Sequence, residues 1–303
     1  MGKAERNRNQ SARERIAAQQ AAARKAETRR RFLIAGGAAV TVIAVVVALV
    51  LVKVLNNSSN SSNSGGSTAS GGVNGTLLPA EVAKNVNSVP ASALDTVGTG
   101  SVLSYNSKAV TAISGTQLTS AGKPEMLYIG AEFCPYCAAM RWSMAVALDR
   151  FGTLSPLHGI HSSSTDTDPN TPTLTFYKST YTSKYLTFTP VENETRTHAP
   201  LQNTTSAQLA IWKKNEPTGQ LGYPFIDFGN KYVITGPLFD PAVLANMSWA
   251  QVASALHNPS SAVAQGALGA ANFITAAICK MTNGQPGNVC TAKGVTAAAA
   301  HLG

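Results

Sequence analysis

Charge is scarce in this chain, and what there is of it is unevenly placed. Only 13% of the 303 residues are Asp, Glu, Lys or Arg, against 44% hydrophobic. So apolar a composition excludes a disordered, charge-rich chain and supplies enough apolar surface for one good-sized core. The formal net charge is +9, but residues 1–31 hold ten Lys and Arg against three Glu, leaving only +2 for the rest. A nucleic-acid domain concentrates basic residues in its folded part, interleaved with aromatics, so DNA and RNA are excluded as partners. The five histidines, His158, His161, His198, His257 and His301, form no metal-ligand spacing and no Ser-His-Asp pattern. No metal and no cofactor is therefore expected. Four cysteines make two close pairs, Cys134 with Cys137 and Cys279 with Cys290, and both could be disulfides in an oxidising compartment.

From Phe32 to Val52 the chain runs 21 residues without a charge. As a helix that is about 31 Å, the thickness of a bilayer core of roughly 30 Å. The run follows a 31-residue polar head and is too long for a cleavable signal peptide. Arg29, Arg30 and Arg31 abut one end and only Lys53 the other, which places the N-terminus in the cytoplasm. The expected organisation is a basic cytoplasmic tail over 1–31, a transmembrane signal anchor over 32–54, an Asn/Ser/Gly-rich flexible linker over 55–75, and an extracytoplasmic domain over 76–303 of a single-pass cell-membrane protein.

Within that domain, helices are predicted at Pro79–Val86 and Ala91–Val97, and a strand at Lys108–Ile113. Pro124–Gly130, with Met126, Leu127, Tyr128 and Ile129, reads as a buried strand leading straight to Cys134, and Ala138–Phe151 as a helix. Thr173–Tyr177 and Tyr185–Val191 read as a hairpin-like pair of strands. A helix at Ser206–Lys214, two antiparallel strands at Phe225–Phe228 and Tyr232–Ile234 around a Gly229-Asn230 turn, and a helix at Trp249–His257 complete an α/β pattern with a mixed sheet flanked by helices.

Chemistry concentrates at Cys134-Pro135-Tyr136-Cys137. A disulfide-exchange catalyst needs an exposed, stabilised thiolate and a second thiol to resolve the mixed disulfide. At a helix start, orphan N–H groups and the positive end of the macrodipole favour a negative Cys134, with a pKa below the free value of about 8.5. Pro135 suits the first turn, where its missing N–H is not needed, and Tyr136 completes the helix start. Cys137, one turn in, is the resolving thiol. A zinc knuckle or a structural disulfide are the other readings of two cysteines at this spacing, although a zinc site wants a second such pair or two histidines.

Met126–Trp142, MLYIGAEFCPYCAAMRW, resembles the strand-CxxC-helix unit of thioredoxin-like disulfide oxidoreductases, and Gly222–Gly236, GYPFIDFGNKYVITG, is similar to the hairpin that family opens with a cis-proline opposite its redox pair. The resemblance implies a thioredoxin-like fold over about residues 105–258, with Pro224 as the cis-proline and Tyr223 positioning an extended substrate chain beside the sulfur. A trans proline opening an edge strand is the plainer reading of Pro224. The chain also resembles a prokaryotic membrane-anchored family catalogued as a domain of unknown function. Two departures from the pattern stand out: Pro224 lies 90 residues after Cys134, which implies a β-rich insertion over about 160–205, and Pro135-Tyr136 resembles the dipeptide of glutaredoxins, which leaves the direction of electron flow open. A C-terminal helical extension is expected over about 259–303.

Cys279 and Cys290 bracket Asn283-Gly284 and Pro286-Gly287, turn signals that suit a structural disulfide closing a loop. A second redox site relaying electrons to the first pair is the alternative. Glu132 is a candidate for tuning the pKa of Cys134, though as a negative charge it would raise it; a surface carboxylate is the plainer reading. Arg141, one turn beyond Cys137, could offset that charge, but an exposed helix arginine is the plainer reading. The function expected is an extracytoplasmic, membrane-anchored thiol-disulfide oxidoreductase acting on thiols or disulfides of secreted or envelope proteins, its pair reset by a membrane quinone-linked oxidant or a transmembrane electron carrier. The competing expectation is a redox-inert binding module of the cell envelope on the same scaffold.

Overall fold

A computed structural model describes residues 75–216 and 219–303. The basic tail, the expected membrane span and all but the last residue of the linker lie outside the described residues.

The domain opens with a short strand β1 (Thr76–Leu77) and three helices, α1 (Ala80–Asn87), α2 (Ala91–Val97) and α3 (Val102–Tyr105). Then come β2 (Thr111–Ala112), β3 (Thr119–Ser120), β4 (Lys123–Gly130), α4 (Pro135–Asp149), β5 (Gly152–Ser155), β6 (His158–His161), β7 (Pro172–Thr175), β8 (Thr180–Ser183) and β9 (Thr187–Glu192). They are followed by α5 (Ser206–Asn215), β10 (Phe225–Phe228), β11 (Tyr232–Thr235), a 3₁₀ turn at Pro241–Leu244, α6 (Trp249–Ala255), α7 (Ala262–Met281), α8 (Gly287–Cys290) and α9 (Lys293–Ala299). The expected α/β class with a mixed, helix-flanked sheet is what the structure has.

Strand β4 is the axis of the main sheet. It pairs in parallel with β9 and antiparallel with β10, and β10 continues through β11 to β2. Residues Met126 to Gly130 are all buried, as a strand covered on both faces must be. Their alternation sorts them by face: Met126 and Tyr128 join the large core formed with α4, α6 and α7, and Leu127 and Ile129 join a smaller core with Val191, Trp212, Phe225 and Val233. Helix α5 supplies Trp212 to the second face and starts with a capping box, Thr205 Oγ1 accepting from the Gln208 amide at 3.2 Å. At the β10–β11 turn, Gly229 and Asn230 have positive φ of 64° and 58°, a conformation these two residue types tolerate.

Helix α7 lies within the expected C-terminal helical extension, although its bounds were not among the predicted elements. It has 20 residues, and by length and composition it is the one helix among the described residues that could cross a membrane. It is instead the main partner of α4 inside the large core. Its small residues allow close packing: a Cβ on Gly266 would lie 2.5 Å from the Phe239 ring, and one on Gly269 2.6 Å from the Thr99 carbonyl oxygen. Asn272, buried within it, donates to the Leu94 and Gly98 carbonyls at 2.8 Å each, tying the first helices to the last.

Three expectations need correction. Thr173–Tyr177 and Tyr185–Val191 do not pair with each other: β7 pairs with β6, and β9 joins the main sheet beside β4, because Phe188 and Val191 gain burial there. Between them β8 turns back to β5. The strand at Lys108–Ile113 is reduced to two paired residues at the sheet edge. Residues 259–303 are helical as expected, but they are more than an extension added to the fold, since α7 lies in the core itself.

Candidate functional site

The end of β4 delivers the chain to Cys134, which caps α4 with non-helical dihedrals of φ −73° and ψ 121°. Its sulfur accepts the Cys137 amide N–H at 3.3 Å, taking the place of a capping oxygen, and Pro135 occupies the first helical position. Both cysteines are thiols; Cys134 is 4% exposed and Cys137 is fully buried. Across from them the Tyr223–Pro224 peptide is cis. The Tyr223 carbonyl oxygen lies 4.0 Å from Cys134 Sγ. The Tyr223 side chain is wedged between Phe133 and Trp212, with ring centroids at 6.0 and 5.3 Å, and its hydroxyl accepts from Asn193 Nδ2 at 3.0 Å. Beside it an open groove of about 400 Å³ is lined by Glu216, Leu221, Gly222, Tyr223, Thr235 and Gly236.

The two sulfurs sit in opposite electrostatic settings. A hydrogen bond from the Cys137 thiol holds Cys134 below the ordinary thiol range; the Cys137 and Tyr136 amides and the Arg141 charge act the same way, against the opposition of burial. Cys137 is pushed well above that range, first by burial and then by its hydrogen bond to Cys134 and the charge there. One thiol is thus made the easier anion and its neighbour the reluctant one, a division of labour suited to attack and resolution.

Two side chains near the pair are placed differently from expectation. Glu132 is no surface carboxylate: it is 2% exposed, accepts from Thr175 Oγ1 at 2.7 Å, and burial raises its pKa while that hydrogen bond opposes the rise. Arg141 is no exposed helix arginine. Fully buried, it donates through Nε and Nη2 to the two oxygens of Glu192 at 2.8 and 2.7 Å. Burial drives both changes: Arg141 has no solvent-facing side because α4 is enclosed between the sheet and α7, and Glu132, in the loop before α4, is held by Thr175 at the end of β7. Glu192, Tyr128, Asn193 and Trp212 carried no expectation as site residues, and for Arg141 the site role was the less favoured of two readings. A signal for Arg141 was present all the same: it is the lone charge between Cys137 and Leu148.

The second pair, Cys279 and Cys290, is a disulfide with Cα atoms 5.6 Å apart, linking the last turn of α7 to α8. Among the described residues no group of His, Cys, Asp and Glu could hold a metal ion.

Residues 109–222 match a family model described as Domain of unknown function (DUF929). The matched span holds Cys134, Cys137, Arg141 and Glu192 and stops short of Tyr223 and Pro224. No curated protein and no solved structure matches the chain.

Proposed function

We propose that the domain is a thiol-disulfide oxidoreductase with Cys134 as the attacking sulfur and Cys137 as the resolving one. The observation that carries this reading is the capping geometry, a sulfur accepting the N–H of the residue whose thiol lies beside it. Strand order supports a thioredoxin-like core: β9, β4, β10 and β11 lie side by side, the first two parallel, β10 antiparallel to β4 and β11 completing a hairpin with β10, with α4 after β4 and α5 before the hairpin. On this reading β5 to β8, residues 152–183, are the insertion, and the expected bounds of 160–205 shift because β9 pairs with β4 in the main sheet. Tyr223-Pro224 is the segment along which an extended substrate chain lies, its backbone meeting the Tyr223 carbonyl and running over the adjoining groove.

The exchange balances in two steps. The Cys134 thiolate attacks one sulfur of a substrate disulfide, forming a mixed disulfide and releasing the other substrate sulfur as a thiolate, which takes up a proton. Cys137 gives up its proton and attacks Cys134 Sγ, closing the Cys134–Cys137 disulfide and releasing the second substrate thiol. Two electrons pass to the substrate; with the protein disulfide as the starting form the same steps run backward and oxidise a substrate dithiol. The pair is reset by a membrane quinone-linked oxidant or by a transmembrane electron carrier. On this reading the apolar run over 32–54 is a membrane anchor and the chemistry runs outside the cytoplasm, a setting that a disulfide at Cys279–Cys290 in the same domain supports.

The test is capture. Cys137→Ser removes the resolving thiol and should leave Cys134 joined to envelope proteins as mixed disulfides that a reductant releases. Absence of any captured protein from cells that make Cys137→Ser at the normal level, together with failure of the purified protein to reduce a disulfide peptide, would refute the proposal.

A further inference from the structure

Arg141 takes no part in the exchange steps above, yet it is built into the same site. It lies one helical turn beyond Cys137, so the two side chains rise from one face of α4. Its Nη2 donates not only to Glu192 but also to the Ala131 carbonyl at 2.7 Å, and that same carbonyl accepts the Cys134 amide at 3.3 Å. One shared oxygen therefore links the guanidinium to the loop that presents Cys134. Glu192, its partner, stands opposite Gly130 in the β4–β9 register and also accepts the Phe176 amide at 3.3 Å. Nη1 of Arg141 is buried with no hydrogen-bond partner, as is the Tyr128 hydroxyl on β4.

This is an expensive way to fill a core. A buried ion pair recovers little more than its desolvation cost, and well-packed apolar residues of similar volume often serve stability as well or better. An arginine left one donor short is worse still. The ionisable groups around the sulfurs include Tyr128 from β4, Glu132 from the loop after it, Glu192 from β9, Tyr223 ahead of β10, and Tyr136 and Arg141 from α4 itself. Arg141 is the cation of that set, and its charge acts on both cysteines.

We propose that Arg141 is a positioning residue for the redox pair: clamped by Glu192, it holds the Ala131–Cys134 loop and places a positive charge that favours the thiolate, making the pair a stronger oxidant. This rests on the redox reading of Cys134 and Cys137. A stabilised thiolate favours the dithiol form, and so a higher potential. The proposal separates from a purely structural role by sign. Glu192→Gln leaves the guanidinium uncompensated and should lower the Cys134 pKa, whereas removing both charges should raise it; both changes cost stability or leave it level, but only a charge acting on sulfur moves the pKa in opposite directions.

The experiment uses the full-length protein in detergent. The rate of iodoacetamide alkylation of Cys134 is followed against pH, and the dithiol–disulfide equilibrium is measured in glutathione buffers. Glu192→Gln is expected to alkylate up to tenfold faster at acidic pH than the wild type. Arg141→Met/Glu192→Leu, which keeps the core filled, is expected to shift the equilibrium up to tenfold toward the disulfide, a fall of about 30 mV. Arg141→Lys, which keeps the charge without the planar fork, should fall between the wild type and the double variant. If the double variant does not fold, Glu192→Gln decides alone. An unchanged or raised pKa in Glu192→Gln overturns the proposal, even if melting temperatures change. Alkylation needs no substrate, so a wild type that fails to reduce a disulfide peptide would count against the redox reading while the pKa comparison still judged Arg141.

Discussion

The molecule holds two cysteine pairs, and the contrast between them explains more than either alone. Cys279 and Cys290, 11 residues apart, join the C-terminus of α7 to the short helix α8 and are bonded. Cys134 and Cys137 sit three residues apart at a helix N-terminus and are free thiols. At the first pair, sulfur closes a loop. At the second, the Cys137 amide, the Tyr223 carbonyl and Arg141 all converge on the sulfurs or on the loop that carries them. Reactivity here is a property of surroundings, since the residue type is the same in both places.

The widest gap between the pairs should be in activity. Cys134→Ala is expected to reduce exchange with a disulfide peptide by about a thousandfold or more, because the attacking sulfur is lost. Cys279→Ser/Cys290→Ser should leave that rate within about twofold, and loss of turnover in this variant would show the second pair to be a relay instead. Its effect should appear in stability, a loss of about 3 kcal/mol in chemical denaturation, from releasing a loop of this length in the unfolded chain.

A finer contrast lies within the first pair. Mass spectrometry after partial alkylation should find Cys134 modified at a lower pH than an unstructured cysteine, with Cys137 unmodified until the fold opens, because their pKa values move in opposite directions. The reduced protein should share this dependence. A thiol whose folded pKa is depressed stabilises the fold above its unfolded pKa and loses that contribution as pH falls through the folded value.

The smallest effect removes a background from those pH profiles. Asp227 on β10 is buried, with Oδ1 accepting the Asn230 amide at 2.6 Å and Oδ2 unpartnered, and burial raises its pKa from 3.8 to about 6. The folded carboxyl binds its proton more tightly than the unfolded one, so its contribution is greatest below the unfolded value and is lost as pH rises through about 6. Asp227→Asn should flatten that slope and raise stability at pH 7 by about 1 kcal/mol, allowing for a weaker bond to the turn amide.

How legible this was from sequence depended on whether the deciding contact was local. β4, α4 and the β10–β11 hairpin could be read because an apolar run, a proline at the first helical position and a Gly-Asn turn act within a few residues. The partners of β7 and β9 could not, because strand pairing depends on which distant neighbour offers burial, and β9 finds β4 about 60 residues back. The C-terminal extension was read as helical, but the bounds and core position of α7 were not, because Ala and Gly carry little periodic signal when every side is covered. At the site, the cysteines and Tyr223-Pro224 stood out by motif. Glu132 and Arg141 did not, since a charged residue's exposure depends on what packs over it, and Glu192 lies 51 residues from the arginine it holds.

The most direct test of the redox assignment is the equilibrium of the full-length protein with glutathione buffers of graded potential, read by mass spectrometry of alkylated cysteines. Cys134 and Cys137 should convert together and reversibly between dithiol and disulfide, with Cys279–Cys290 remaining bonded throughout. A Cys134–Cys137 pair that stays in one state across the whole range, with the protein folded, would contradict it.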